Sequence, residues 1–312
     1  MRRGLSHDTV QAAAMICAVI SDPKNAPEQY RVEVAAGIGL AVVDWQPATP
    51  LDVPVFVLVH GLASNARLWD GVARSLSAAG ARAIAIDQRG HGQSDKPDTG
   101  YDMTTVAADL ASLLDRLELQ HPVVVGQSWG ANVVVELAAA HPGLTSGVVA
   151  VDGGFIDLST TFPSWDECKT ALAPPKFAGT PFTQFASWIR DAHPDWPETG
   201  IIGTLANVEV RDDGTVAPWL SFERHLAVLH GLWQHMPFER LPAVAEPILW
   251  MPADSGTANW TSDKRVAIAR ALEVHPRSAV EWFSPADHDL HAQFPVRVAN
   301  SLLQAVTTGV FA

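Results

Sequence analysis

The chain has 312 residues, 47% of them hydrophobic and 18% charged, enough for one large α/β domain with an insertion or for two ordinary domains. Its net charge of −13 argues against nucleic acid or an anionic membrane as a partner, because phosphate groups reward the opposite sign. Only Cys17 and Cys168 occur, far apart and outside metal-ligand spacing, so they read as free thiols in a reducing compartment.

Arg2-Arg3 followed by the apolar stretch Val10 to Ile20 faintly imitates a secretory signal, but His7 and Asp8 intervene and no small-x-small cleavage site follows. Residues 6–20 are therefore expected to form an N-terminal helix of a cytoplasmic protein. No run approaches 18 consecutive apolar residues, so no membrane-spanning helix is expected.

From residue 30 to 45 the pattern predicts two strands joined near Gly37-Gly39, a hairpin. Strands and helices then alternate: strand Val55–Val59, helix 67–79, strand Ala81–Ile86 and helix 104–118, whose Leu110, Leu113, Leu114 and Leu117 recur at helical spacing. Strand 122–127, helix 130–141 and strand Gly147–Val151 follow. Uninterrupted Val/Ile/Leu runs mark strands covered on both faces, hence a mostly parallel sheet between helices. After Asp152 the rhythm breaks: residues 155–240 are rich in proline, show no clean strand and hold five of the eleven tryptophans. Alternation resumes with strand Pro247–Met251, helix 262–273, strand Ala279–Phe283 and helix 295–306. An insertion whose flanks return to one sheet reads as a helical cap over residues 155–240, on a core made of 1–154 and 241–312.

Four segments carry chemistry. Gly126-Gln-Ser128-Trp-Gly130 lies between a β-branched strand and a small-residue helix, the order of a nucleophile elbow. The turn lifts the Ser128 hydroxyl clear of the sheet, with the Trp129 amide at a helix N-terminus beside it. His60-Gly-Leu62-Ala-Ser64 ends the strand before, which sets the Leu62 amide opposite the elbow, so Leu62 and Trp129 could together bind an oxyanion. Asp87-Gln-Arg89-Gly-His91-Gly-Gln-Ser94 is assigned a structural turn, with Asp87, Arg89 and Ser94 in one polar network. Ser284-Pro-Ala-Asp-His288-Asp-Leu-His291 follows the last strand, where a general base can swing over the sheet top. His288, nearer the strand end, is favoured over His291, which is left to a supporting or surface position.

A carboxylate must fix the histidine tautomer, and two aspartates compete: Asp152 in Val-Asp-Gly-Gly and Asp254 in Pro-Ala-Asp-Ser-Gly. Both follow sheet strands at the rim where open α/β sheets bind ligands. The glycines after Asp152 favour it, and Asp254 remains the alternative.

In this order the motifs resemble the α/β-hydrolase superfamily across residues 30–310. The resemblance implies the α/β-hydrolase fold, Ser128 as nucleophile, His288 as base with Pro295 seven residues on, and Leu62 and Trp129 as oxyanion amides. One departure concerns the acid: the family's Gly-x-x-Asp, laid on Pro247 to Gly256, puts the aspartate's place on Gly256, two positions after Asp254. A branch that includes haloalkane dehalogenases and some lactone hydrolases takes its acid from the preceding strand end, where Asp152 lies. A serine nucleophile excludes the dehalogenase and epoxide-hydrolase chemistries, which need an aspartate there. What remains is acyl transfer to water from an ester, lactone or thioester. Alternatives are C–C cleavage or perhydrolysis on the same triad, or a ligand receptor that keeps a slow one.

The expected partner is a small-molecule ester or lactone, with no nucleic acid and no membrane, and a homo-oligomer is compatible with the sequence. Trp165, Trp188, Trp219 and Trp233 are the substrate-binding candidates; any that face the cleft, together with Trp129, would favour an apolar or aromatic group. No cofactor is implied: there is no phosphate-binding glycine loop after the first strand and no metal-ligand cluster.

Overall fold

The computed structural model describes residues 26–256 and 258–311. The helix expected at residues 6–20 lies outside the described residues. Strands β1 (Glu28–Ala35) and β2 (Ile38–Trp45) form an antiparallel hairpin, and β2 pairs antiparallel with β4 (Ala83–Asp87). From β4 onward every pairing within this sheet is parallel. The eight-stranded order is β1-β2-β4-β3-β5-β6-β9-β10, with β3 at Phe56–Val59, β5 at Val123–Gln127, β6 at Gly147–Val151, β9 at Ile248–Met251 and β10 at Ser278–Val280.

The strand residues divide by parity, as a two-residue period dictates. Val57, Val59, Val124, Val148 and Trp250 pack with α2 (Met103–Arg116), α3 (Trp129–Ala140) and α10 (Ala258–Val274). Phe56, Leu58, Val125, Val149 and Met251 face α1 (Asp70–Ala78) and α11 (Pro295–Thr307). Each such side chain, fully withdrawn from water, contributes roughly 1.5–3 kcal/mol, and β3, β5 and β6, buried along their whole length, sit in the middle of the core. No helix among the described residues is long and apolar enough to cross a membrane.

Residues 152–247 leave the sheet after β6 and return beside it as β9. Between them run helices α4 (Leu158–Thr161), α5 (Trp165–Leu172), α6 (Phe182–Ala192), α7 (Glu198–Leu205), α8 (Phe222–Gln234) and α9 (Pro237–Arg240). The expectation of no strand here is corrected: β7 (Val208–Val210) and β8 (Val216–Pro218) form a two-stranded antiparallel sheet. Three-residue strands are too short for an alternating pattern to rise above the surrounding polar residues, which is why the sequence did not announce them. Phe182, Phe185, Trp196, Ile201, Leu205, Val208 and Val216 build a small core that closes onto Leu68 and Ala292. The last strand is also shorter than expected; beyond Val280 the chain keeps one bridge, Phe283 to Ala253, and then turns toward His288.

Candidate active site

Strand β5 hands directly into α3 through Ser128, whose φ of 53° and ψ of −121° lie where only glycine is unstrained. A Cβ at Gly126 would come within 2.2 Å of the Gly130 carbonyl oxygen, so the crossing of strand and helix requires glycine there. The Ser128 amide is tied to Val151 O at 2.9 Å, which fixes the serine against the end of β6.

The loop after β3 is held by two buried imidazoles. His60 Nδ1 lies 2.7 Å from Gly61 O, and its Nε2 accepts the Gln88 amide at 3.0 Å while Gln88 Nε2 donates to His60 O at 2.7 Å. Burial lowers the His60 pKa to about 4, so the ring stays neutral and can accept. His91 Nε2 accepts the Ala63 amide at 3.3 Å, and burial likewise holds it well below the ordinary histidine value. His91 therefore braces the loop that carries Leu62. Neither the Leu62 nor the Trp129 amide has another acceptor among the described residues. The Trp129 ring faces away from the cleft: it is fully buried and stacked on His91, with ring centroids 5.3 Å apart. Its expected contribution to an apolar substrate surface is thereby corrected, because the residue after an elbow nucleophile starts a core-facing helix. Arg89 also departs from expectation. It pairs with Asp109 on α2, whereas Asp87 accepts the Ala66 and Gln93 amides at 2.7 Å each and Ser94 Oγ donates to Asp87 O.

His288 Nδ1 stands 2.6 Å from Asp152 Oδ2. Asp152 directly follows β6 with a φ of 42° and has no exposed side-chain surface. Its Oδ1 accepts the Ala253 amide at 2.9 Å, and its Oδ2 also accepts Lys264 Nζ at 2.7 Å. Burial would raise the Asp152 pKa, but the hydrogen bond and charge of His288 and the charge of Lys264 outweigh it and hold the carboxyl below its ordinary value. The half-exposed His288 ring loses some solvation, which disfavours its charge; the Asp152 hydrogen bond and the Asp289 and Asp152 carboxylates more than compensate, and its pKa is raised. Asp254 does not reach His288. Its carboxylate accepts the Gly256 amide at 2.9 Å, Thr261 Oγ1 at 2.7 Å and Ser284 Oγ at 3.3 Å. His291 is fully buried on the Trp69 ring, centroids 4.2 Å apart, and burial lowers its pKa to about 3.

Ser128 and His288 line one cavity of about 130 Å³ together with Leu62, Ala63, Ser64, Leu68, Gln127, His193, Trp196, Thr204, Asn207 and Asp289. No lysine or arginine lines it, and enclosure raises the Asp289 carboxyl above its ordinary value. His288 also lines a larger cavity of about 1070 Å³ together with Phe155, Ile156, Leu158, Phe162, Phe238 and Ala267, and with Asp152 and Lys264. None of the four candidate tryptophans lines either cavity. Trp165 and Trp233 pack on each other and on His230, Trp219 lies under Lys96, and Trp188 is 47% exposed.

Trp196 lines the Ser128 cavity instead, stacked on His193 with its Nε1 donating to Asp287 at 2.9 Å, which ties the inserted segment to the histidine loop. Gln127, whose Nε2 donates to His288 O at 3.3 Å, was discernible as the polar residue inside the elbow. Lys264 carried no signal at all: it sits nearly two turns into an ordinary polar helix, 112 positions from the aspartate it touches.

A family profile described as alpha/beta hydrolase fold matches residues 54–182. Over 99 residues the sequence is 42% identical to a 2-(acetamidomethylene)succinate hydrolase of Mesorhizobium japonicum, covering 32% of this chain and 35% of that protein. It is 40% identical over 151 residues to a non-heme chloroperoxidase of Streptomyces lividans, covering 46% of this chain and 54% of the relative. The matched stretch thus spans about a third to a half of these curated relatives. The solved structure of E-2-(acetamidomethylene)succinate hydrolase superposes with a TM-score of 0.72 at 25% identity, covering 89% of this chain and 98% of the other.

Proposed function

The chain belongs to the α/β-hydrolase superfamily, and on that premise we propose that it is a serine hydrolase cleaving a carboxylic ester or lactone of a small molecule through an acyl-enzyme on Ser128. One observation carries the reading: the imidazole bound to a buried carboxylate at 2.6 Å lines the same cavity as the elbow serine. Ser128 Oγ attacks the carbonyl carbon and its proton passes to His288, whose charge Asp152 stabilises. The Leu62 and Trp129 amides receive the oxyanion. Collapse breaks the acyl–oxygen bond as His288 returns the proton to the departing alcohol. Water, deprotonated by His288, then releases the acid and frees Ser128.

Room around these atoms bears on the substrate. The cavity at Ser128 suits a small acyl group, and Asp289 with no facing cation disfavours a free carboxylate on it. The departing alcohol must lie beside His288 to take its proton, and His288 also lines the larger apolar cavity. A bulky apolar alcohol joined to a short neutral acyl group fits both spaces.

Labelling with a fluorophosphonate, lost in Ser128→Ala, tests the nucleophile. Sustained turnover of p-nitrophenyl acetate tests the reaction, while a single burst without turnover favours a receptor that keeps a slow triad. Similarity to a protein named a chloroperoxidase favours a second reading, with hydrogen peroxide replacing water in the deacylation step to give a peracid. Peracid formation from an acetate ester and peroxide checks it.

A further inference from the structure

The carboxylate behind His288 has a third partner that acyl transfer does not call for. Lys264 Nζ lies 2.7 Å from Asp152 Oδ2, the same oxygen that meets His288 Nδ1 at 2.6 Å, and it also donates to Ala253 O at 3.0 Å. Ala253 closes the circuit by donating its amide to Asp152 Oδ1 at 2.9 Å. The carboxylate, through Oδ1, and the ammonium bound to Oδ2 are therefore both pinned to the backbone of one residue, Ala253, beyond β9. The aspartate side chain is fully buried and the lysine side chain is 20% exposed, so solvent screens this contact weakly.

We propose that Lys264 is a positioning residue for the reaction: it locks the Asp152 carboxylate in one orientation and moderates the carboxylate's pull on the His288 proton. The inference rests on the serine-hydrolase reading above. A cation sharing Oδ2 withdraws part of the charge that would otherwise favour the imidazolium. His288 then returns to its neutral, proton-accepting form at a lower pH than Asp152 alone would permit. Of the other groups around His288, Asp289 on its own loop favours the charged ring, whereas His291, kept neutral by its burial, adds no charge; His193 and Asp287 act on Asp289. Lys264 is the cation among those that act on it.

The test is the pH dependence of kcat/KM on p-nitrophenyl acetate for wild type, Lys264→Gln and Lys264→Arg. Glutamine keeps a donor for Ala253 O and Asp152 but removes the charge. Its acid limb is expected to move up by about one pH unit, giving roughly tenfold less activity near pH 6 than wild type and a smaller deficit above pH 8. Arginine is expected to restore the limb. A glutamine variant whose limb coincides with wild type, even if its melting temperature falls, overturns the proposal, since a purely structural lysine would act equally at all pH values. The His288 ring titration followed by NMR gives the same answer without turnover. If fluorophosphonate fails to label wild-type Ser128, the hydrolase reading fails, and an unmoved His288 titration then sinks the Lys264 proposal separately. Should Lys264→Gln not fold, the comparison of Lys264→Arg with Lys264→Met carries the same arms.

Discussion

Strands β6 and β9 are neighbours in the sheet, and each delivers an aspartate to the same rim within three residues of its end. At the β6 end the chain turns at once, with Asp152 at a positive φ, and a Cβ at Gly153 would come within 2.2 Å of the Ser128 carbonyl oxygen. The carboxylate is thereby folded under the histidine loop. At the β9 end the chain stays extended: Ala253 bridges Phe283 and the Asp254 amide donates to Phe283 O at 2.8 Å. Extended backbone leaves Asp254 among Gly256, Thr261 and Ser284, with Arg265 3.6 Å away. A position after a sheet strand is thus insufficient to make an acid available; the backbone turn that follows decides where the carboxylate goes.

The sharpest way to break this contrast is Asp152→Asn against Asp254→Asn on one activated ester. Asparagine at 152 leaves the shape but presents the imidazole with the wrong hydrogen-bonding group, and kcat is expected to fall about 10³–10⁴-fold. The same change at 254 is expected to alter kcat less than about threefold, because its contacts run to Gly256, Thr261, Ser284 and Arg265 and not to His288. Equal losses would remove the distinction between the two rims.

Next in size is Gly153→Ala. A methyl group there has backbone, not a flexible side chain, to displace, so the melt is expected to report a loss of about 2–3 kcal/mol together with lower kcat. Ser255→Ala, at the exposed turn beyond Asp254, should stay within about 0.5 kcal/mol of wild type. A mild Gly153→Ala would mean that the serine and the acid are less rigidly coupled than their packing implies.

The same contrast marks how far the sequence could be read. Strands β3 to β6 were legible because Val/Ile/Leu runs buried on both faces leave no other assignment, and Gly126, Ser128 and Gly130 state a turn that few other residues can make. The two aspartates could not be ranked on spacing alone, since the φ of 42° at Asp152 and the extended course at Asp254 are not written in either tetrapeptide. The inserted segment was least legible. An aromatic in it says only that something apolar is covered, and Trp165 and Trp233 cover each other while Trp196 reaches the cavity. Lys264 was invisible, because a lysine on a helix is ordinarily solvated and its partner comes from a distant strand end.

A third prediction uses pH. In the proposed mechanism His288 must be unprotonated to accept the serine proton, and its pKa is raised above the ordinary 6.5. Activity should therefore climb as pH rises through a value above 6.5, losing about tenfold per unit below that limb. Removing the Asp152 charge should draw the residual limb downward, while Asp254→Asn should leave it in place. A limb in the Asp254→Asn variant that moves as far as that of Asp152→Asn would mean the second carboxylate reaches the imidazole after all.

The smallest expected effect separates tryptophans. Trp196 is buried, stacks on His193 and donates to Asp287 immediately before His288, whereas Trp188 is nearly half exposed and borders neither cavity. Trp196→Phe keeps a ring over His193 but deletes the hydrogen bond to the Asp287 carboxylate that joins the inserted segment to the histidine loop; a hydrogen bond to a part-exposed charged acceptor contributes about 1.5 kcal/mol, so kcat/KM should fall roughly tenfold. Trp196→Ala also opens the cavity beside Ser128, and its KM for an acetate ester should rise further than that of the phenylalanine variant. Trp188→Ala should change neither constant beyond about twofold. If Trp188→Ala instead raised KM as far as Trp196→Ala, the substrate would have to run across the outer face of α6, and the small cavity would no longer define where the acyl group sits.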